Sequence, residues 1–283
     1  MHVITDIEAM RHYRQGQEGK KIGFVPTMGA LHAGHLSLIE QARTECEAVI
    51  ISIFVNPLQF GPNEDFEKYP RELKRDIALA EGAGADVVFA PTQTEMYPRP
   101  LVTQVVVAEI TERLCGASRP GHFTGVTTVV SKLFHIVQPT HAYFGLKDAQ
   151  QVAVIERMVE DLHFPLEIVP CPTVREEDGL ALSSRNRYLS KQEREQAPIL
   201  YQALTRAEAN LLQGKYKSSA HLEEDVRTHI TSQPLAQIEY VEALTYPDLT
   251  PLTDLHSPLI LLLAVRFGDT RLIDNILLNK GEQ

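Results

Sequence analysis

Apolar residues near the start of the chain alternate between short continuous runs and stretches with helical spacing. Ile22 to Val25 form a run that ends at Pro26-Thr27-Met28-Gly29, and from His35 to Cys46 the positions Leu36, Ile39 and Ala42 fall on one helical face. The pattern predicts strand, glycine-containing turn, helix. Ala48 to Val55 is a run rich in β-branched residues, as expected of a strand buried on both faces of a parallel sheet, and Asn56-Pro57 ends it. Pro70 opens a helix to about Glu81, which Gly82 and Gly84 close before a strand from Asp86 to Ala90. Further on, the spacing predicts a strand over Val102 to Val107 and an apolar helix over Thr124 to Val137. A short strand over Ala142 to Phe144, a helix over Ala149 to Asp161 and a strand over Leu166 to Val169 follow. Strands alternating with helices of this length predict a doubly wound parallel α/β sheet, whose ligands lie beyond the carboxyl ends of its strands.

The texture changes after Ser190. Ser190 and Glu193 have capping-box spacing ahead of a polar helix from about Gln192 to Gln213, and a second helix falls near Ala220 to Thr231. Ile238 to Leu244, Leu259 to Arg266 and Thr270 to Ile276 then read as antiparallel strands. A smaller C-terminal α+β domain is expected, with no Gly-, Ser- or Pro-rich linker ahead of it. The expected domains are residues 1–185 and 186–283.

Composition excludes several classes. The 283 residues suggest about two domains at roughly 150 residues each. With 27 Lys and Arg against 37 Asp and Glu the net charge is −10, the wrong sign for a nucleic-acid partner. Three separated cysteines, Cys46, Cys115 and Cys171, form neither a disulfide framework nor a zinc knuckle and suit a reducing compartment. Met1 to Asp6 lack a basic segment followed by an apolar stretch, and the longest apolar run, Leu259 to Val265, is too short to span a bilayer. A cytoplasmic protein without membrane insertion is expected.

The strongest candidate for chemistry is Pro26-Thr27-Met28-Gly29-Ala30-Leu31-His32-Ala33-Gly34-His35, which leaves the first long strand and enters a helix. Helix N-termini carry unpaired N–H groups and positive potential, and imidazoles three residues apart project together there, so His32 and His35 suit a phosphate. A lone histidine is more often a cap or a satisfied core residue, but two histidines and two glycines at this position favour function. Zinc is the weaker rival, since neither HExxH nor a nearby Cys is present. A P-loop is absent, and Gly82-Ala83-Gly84 precedes a strand rather than following one, so it reads as a C-cap.

Gly145-Leu146-Lys147-Asp148-Ala149-Gln150-Gln151 sits between a strand and a helix. Asp148 reads equally as an N-cap, with Gln151 completing a capping box, or as a ligand; Lys147 could neutralise a polyphosphate or be merely solvated. In Thr173 to Asn186, Ser183, Ser184 and Arg185 could grip a triphosphate, or form a serine-rich hinge at the domain junction. Glu176, Glu177 and Asp178 read as a solvated acidic turn, with a metal site the minor alternative. After the Ala48 strand, Asn56 reads equally as an Asx turn or as a ligand-binding amide, whereas Gln59 favours recognition of a small polar ligand.

These segments, taken with YPR at 69–71, RPGHFTGVTTVVSKLF at 119–134 and PTVREEDGLALSSRNRYLS at 172–190, resemble the pantothenate synthetase family, the pantoate:β-alanine ligases of coenzyme A biosynthesis. The resemblance covers nearly the whole chain. HAGH is similar to the HIGH signature of the nucleotidylyltransferase superfamily, and Leu182 to Asn186 to its KMSKS-like signature. The resemblance implies a Rossmann-like first domain and a C-terminal lid. It implies ATP and Mg2+, the substrates pantoate and β-alanine, a pantoyl-adenylate intermediate, release of pyrophosphate and AMP, and a homodimer.

Carried over, Met28, Gly29, Ala30, Leu31, His32, Ala33, Gly34 and His35 would line the ATP site. His32 and His35 would meet phosphates, with His35 the proton donor. Gly145, Leu146, Lys147 and Asp148 would continue the site, Lys147 on phosphate and Asp148 on ribose, and Val174, Leu182, Ser183, Ser184 and Arg185 would complete it. Catalytic roles fall to His35, His32, Lys147 and Arg185. Gln59 and Gln151 would hold pantoate, Gln59 also β-alanine, and Asp76 would help hold magnesium. Three positions depart from the family pattern: Leu146 and Cys115, where Glu is usual, and Leu182, where Met is usual. Rival readings are another adenylate-forming or nucleotidylyl-transferring enzyme of the superfamily, and a noncatalytic nucleotide-binding module.

Overall fold

A computed structural model of the chain describes residues 1–61 and 66–278; residues 279–283, the end of the expected C-terminal domain, lie outside them. The described chain forms two compact units, one of Met1–Gly145 with Val154–Cys171, the other of Leu146–Ala153 with the chain from Pro172 onward.

The first unit is built on six parallel strands: β1 (His2–Ile4), β2 (Ile22–Thr27), β3 (Ala48–Ile53), β4 (Val87–Phe89), β5 (His141–Gly145) and β6 (Glu167–Cys171). They lie side by side in the order β1-β4-β3-β2-β5-β6. The doubly wound expectation therefore holds. The β2–β3 register, Ile22 beside Ala48 through Thr27 beside Ile53, brings together the two most apolar runs of the sequence. From β2 the chain winds outward through β3 to β4, whereas β5 and β6 lie on the other side of β2. The order thus reverses between β2 and β5, the kind of switch point beyond whose strand ends ligands bind in sheets of this class. The loops after Thr27 and Gly145 both leave the sheet at this edge.

Helices α1 (Ile7–Gln15), α2 (Ala33–Glu45), α3 (Leu73–Gly82), α4 (Gln93–Met96), α5 (Cys115–Ser118) and α6 (His122–Val137) belong to this unit, and α7 (Ala149–Asp161) re-enters it at Val154. On one face of the sheet Val25, Val49, Ile51 and Val88 pack with Leu38, Ile39 and Ala42 of α2. The pattern reading missed β1 and α1. A three-residue strand with two exposed positions has no readable period, and α1 announces itself only through Asp6, whose carboxylate caps Ala9 N–H at 2.7 Å.

The strand expected over Val102 to Val107 is not formed. Its backbone is satisfied by α6 instead of a neighbouring strand: Val105 N–H donates to Thr128 Oγ1 at 3.1 Å, and Thr127 Oγ1 donates to the Val105 carbonyl at 2.6 Å. Propensity favoured a strand, and two threonine hydroxyls overrode it.

In the second unit, α8 (Lys191–Gln196), α9 (Ile199–Leu212) and α10 (Ser219–Ile230) precede the antiparallel strands β7 (Ala236–Thr245), β8 (Leu259–Phe267) and β9 (Thr270–Leu278), ordered β7-β8-β9. The single helix expected over 192–213 is two, parted at Pro198, which has no N–H to continue the ladder. Ser190 and Glu193 form the expected capping box. Leu200, Leu204 and Leu211 of α9 pack on Val241, Leu261, Leu263 and Leu272 of the sheet. Residues 172–185, expected in the first domain, fall in this unit. They fold as a hairpin, with Arg175 bridged to Ala181 and Leu182 N–H bonded to the Val174 carbonyl at 3.0 Å.

Candidate active site

The turn after β2 is held in an unusual shape by one buried carboxylate. Gly29 and Ala30 both lie in the left-handed region, at φ +84° and +52°, a conformation that disfavours any side chain at 30. Asp76 of α3, 1 % exposed, fixes it: Ala30 N–H donates to Oδ2 and Leu31 N–H to Oδ1, each at 2.8 Å. A side chain at position 29 would place its Cβ 2.9 Å from the same Oδ2, so glycine is required for the close approach. Asp76 was expected beside magnesium; the structure shows both of its oxygens accepting from backbone amides, which a carboxylate binds more strongly than a neutral acceptor does.

This turn delivers His32 to the N-cap of α2, where its Nδ1 accepts from Gly34 N–H at 3.1 Å. An accepting Nδ1 carries no proton, so neutral His32 holds its hydrogen on Nε2. The ring of His35 lies against that of His32, with centroids 4.1 Å apart. The cap reading and the functional reading of His32 are compatible, since capping uses one nitrogen and fixes the other as a donor. Ala33 and Gly34 form the first turn of α2, whose N-terminal potential favours an anion.

A second cluster surrounds Gln59. The Asn56 side chain accepts from Leu58 N–H at 3.3 Å and Tyr97 OH at 2.8 Å, and donates to Gln59 Oε1 at 3.2 Å and the Gly125 carbonyl at 3.1 Å. The Asx turn is present, and the same amide also orients Gln59, whose Nε2 donates to Met28 Sδ at 3.0 Å. Behind it, His122 Nδ1–H donates to the Gln59 carbonyl at 2.8 Å while Arg119 Nη1 donates to His122 Nε2 at 3.0 Å. Since guanidinium cannot accept, these partners fix the neutral Nδ1–H tautomer. Burial pushes the Tyr97 phenol well above its ordinary range, so it stays a donor. Gly125 permits the contact of α6 with this turn: a Cβ there would lie 2.3 Å from the Leu58 carbonyl oxygen. Tyr97, Arg119, His122 and Gly125 were not named as site residues, though a histidine and a glycine three apart at the start of an otherwise apolar helix were a usable signal.

In the second unit, Leu146, Lys147 and Asp148 form one tight turn after Gly145, and Asp148 Oδ1 accepts from Gln151 N–H at 3.2 Å. The cap reading of Asp148 is thus realised on one oxygen. Ser183 caps the turn Ser184–Tyr188, its Oγ accepting from Arg185 N–H at 3.2 Å. Glu176 and Asp178 are not a merely solvated turn. Arg194 binds both, at 2.6 and 2.5 Å, and Asn186 Nδ2 donates to Glu176 at 2.8 Å. The sequence-named residues therefore divide: Met28 to His35, Gln59, Asp76 and Gly145 lie in the first unit, and Leu146 to Asp148, Gln151, Val174 and Leu182 to Arg185 in the second.

Among the described residues, no group of three or more His, Cys, Asp or Glu could hold a metal ion. Asp76, the carboxylate expected to assist magnesium, has an oxygen on each of two backbone amides.

Fold and site together define a nucleotide-dependent α/β enzyme. A family model described as pantoate-beta-alanine ligase matches residues 2–277. A pantothenate synthetase of Geobacillus thermodenitrificans is 58 % identical over 97 % of this chain and 94 % of that protein. The solved pantothenate synthetase of Thermus thermophilus superposes with a TM-score of 0.92 at 48 % identity, covering 98 % of this chain and 99 % of its own. A pantoate-beta-alanine ligase from Francisella tularensis, solved with β-γ ATP and β-alanine, gives a TM-score of 0.80 at 37 % identity, covering 98 % and 97 %. The chain belongs to the pantoate–β-alanine ligase family.

Proposed function

We propose that this chain carries out its family's reaction in two steps, with the β2–α2 turn governing the first. It is an ATP-dependent ligase that makes pantothenate from pantoate and β-alanine. In the first step a carboxylate oxygen of pantoate attacks the α-phosphorus of ATP, and the bond to pyrophosphate breaks. In the second, the β-alanine amine attacks the acyl carbon of pantoyl adenylate and AMP leaves. Neither step needs a covalent bond to the protein, so catalysis consists of positioning and of stabilising charge on phosphate oxygens.

His32 donates from Nε2 to a phosphate oxygen, and His35 supplies a proton to the leaving pyrophosphate. Met28, Gly29, Ala30 and Leu31 lend the turn its shape, and Ala33 and Gly34 the helix terminus. Lys147 and Arg185 carry cationic contacts to phosphate, assisted by Ser183 and Ser184. Gly145, Leu146, Val174 and Leu182 line the nucleotide, and Asp148 takes the ribose hydroxyls. Gln59 and Gln151 hold the pantoate hydroxyls, with Gln59 also serving β-alanine. Magnesium would supply neutralisation of the ATP phosphate charge, and Asp76, with an oxygen on each of two backbone amides, is assigned to the turn. The observation that carries this reading is the histidine cap of α2, which fixes a proton on the nitrogen turned away from the helix.

The test is ATP–pyrophosphate exchange with magnesium, with and without pantoate, in the absence of β-alanine. Exchange that requires pantoate is expected; exchange without pantoate, or none with it, would remove the adenylate step.

The setting proposed is cytoplasmic, consistent with the described residues, where no helix is long and apolar enough to cross a membrane. A homodimer is proposed as well. It is supported by the apolar side chains of Val102 and Val106, 95 % and 66 % exposed, and is checked by light scattering on the purified protein.

A further inference from the structure

Strand β9 carries two adjacent polar residues that the reaction does not touch directly, Asp274 and Asn275, 3 % and 6 % exposed. Consecutive strand residues face opposite ways. Asp274 shares its face with Leu272 and Leu278, which lie in the apolar core under α9. A carboxylate is held there because Arg175 meets it with both nitrogens, Nη1 to Oδ2 at 2.7 Å and Nη2 to Oδ1 at 3.0 Å. The same guanidinium donates to the Gly179 carbonyl at 3.1 Å and lies over the Tyr201 ring. Asn275 serves the other face. Its Nδ2 donates to the carbonyl of Leu146 at 2.7 Å and to that of Lys147 at 3.1 Å.

The turn Leu146–Asp148 is too short to be stable by itself, and two of its three carbonyls are bound by this one amide. An amide suits the position: it supplies two N–H donors, whereas a carboxylate would repel both carbonyls and an aliphatic side chain would leave them unpaired.

We propose that Asn275 is a positioning residue for adenylate formation, acting through Lys147 by fixing the turn that presents the lysine ammonium to ATP. Asp274 complements it on the opposite face, tying the hairpin that leads to Arg185 to the same strand. Burial pushes the Asp274 carboxyl up, opposed first by Arg175 and also by the charge of Lys147, so the lysine ammonium lies within electrostatic reach of β9. The proposal rests on Lys147 as a phosphate contact.

The experiment is a double-mutant cycle on the full-length enzyme with Asn275→Ala, Lys147→Ala and the combined variant, read by pantoate-dependent ATP–pyrophosphate exchange. KM for ATP and for β-alanine is measured in the complete reaction. Loss of the two hydrogen bonds from Asn275→Ala is expected to lower exchange kcat/KM for ATP roughly thirtyfold. KM for ATP should rise and KM for β-alanine should stay within about twofold, a split indifferent to the fraction of enzyme that folds. In the Lys147→Ala background, Asn275→Ala should cost no more than about threefold, because the group it positions is gone. An undiminished loss in that background would overturn the proposal while leaving Lys147 in its role. An equal rise in both KM values would overturn it too. If Lys147→Ala leaves exchange unaltered, the phosphate role of Lys147 falls and the proposal with it.

Discussion

The two units stiffen their turns by different means. In the first, close packing does it: Gly29 admits Asp76, Gly125 admits the Pro57–Gln59 turn, and the hydrogen bonds of Asn56, His122 and Asp76 lock what the packing defines. In the second, charge does it: Arg175 is paired with Asp274, and Arg194 with Glu176 and Asp178. Packing is indifferent to salt and intolerant of one added methyl. The partly exposed Arg194 pairs tolerate substitution and fade with salt or acid, whereas the buried Arg175–Asp274 pair is little screened and costly to break from one side. Activity and stability should therefore respond differently to mutation in the two units.

The largest effect is expected at His32. Serine keeps the N-cap but loses the Nε2 donor, so His32→Ser should leave the melting temperature nearly unchanged while exchange falls roughly 10²–10³-fold. A parallel loss of stability would show that the packing of the ring against His35, and not its Nε2 donor, was the main role.

Asp76→Asn comes next. The amide cannot accept from both Ala30 and Leu31 N–H, and losing a charge-assisted pair costs about 2–3 kcal/mol. Exchange should drop roughly fiftyfold by that energy, with the magnesium concentration for half-maximal rate unchanged. A shifted magnesium dependence would return Asp76 to the metal.

Gly125→Ala tests packing directly. Its Cβ would sit 2.3 Å from the Leu58 carbonyl, and overpacking of about 1–3 kcal/mol should move the Gln59 turn. Pantoate KM should rise roughly tenfold on that energy scale while ATP KM holds; equal KM changes would mean that the turn is not specific to pantoate.

The smallest effect is expected from Arg194→Gln, a partly exposed pair costing less than about 1 kcal/mol by urea titration. The Arg194 hydrogen bond holds the Asp178 carboxyl below its ordinary value of 3.8. The contribution of the pair is therefore complete above that value and is lost as pH falls through the lower folded one. A deficit that does not shrink as the pH is lowered below 3.8 would show that the role of Arg194 is packing rather than charge.

The doubly wound class of the sheet and the β2–α2 turn were legible because each rests on local pattern: β-branched runs, a glycine turn and paired histidines. The strand over Val102 to Val107 misled because two threonine hydroxyls of α6 satisfy that backbone, a contact between residues more than twenty apart that no local period reveals. Asp76 was found but its hold on the turn was not foreseen, since a carboxylate in a helix reads alike whether it meets a cation or a backbone amide. Asp274 and Asn275 gave no signal of their own. In sequence they are two polar residues interrupting an apolar strand, and only folding brings them beside the turn at 146 and the hairpin at 175.

The second unit is discontinuous in sequence, for Leu146–Ala153 belongs with the chain from Pro172 onward. For recombination between relatives this means that a single crossover anywhere from 154 to 171 separates the Lys147 turn from the strand that holds it. Chimeras exchanged at one junction should carry a mismatched 146–275 pair whenever the parents differ there, while transplanting both segments together keeps it. The heritable module is thus defined by which residues hold one another and not by contiguity along the gene.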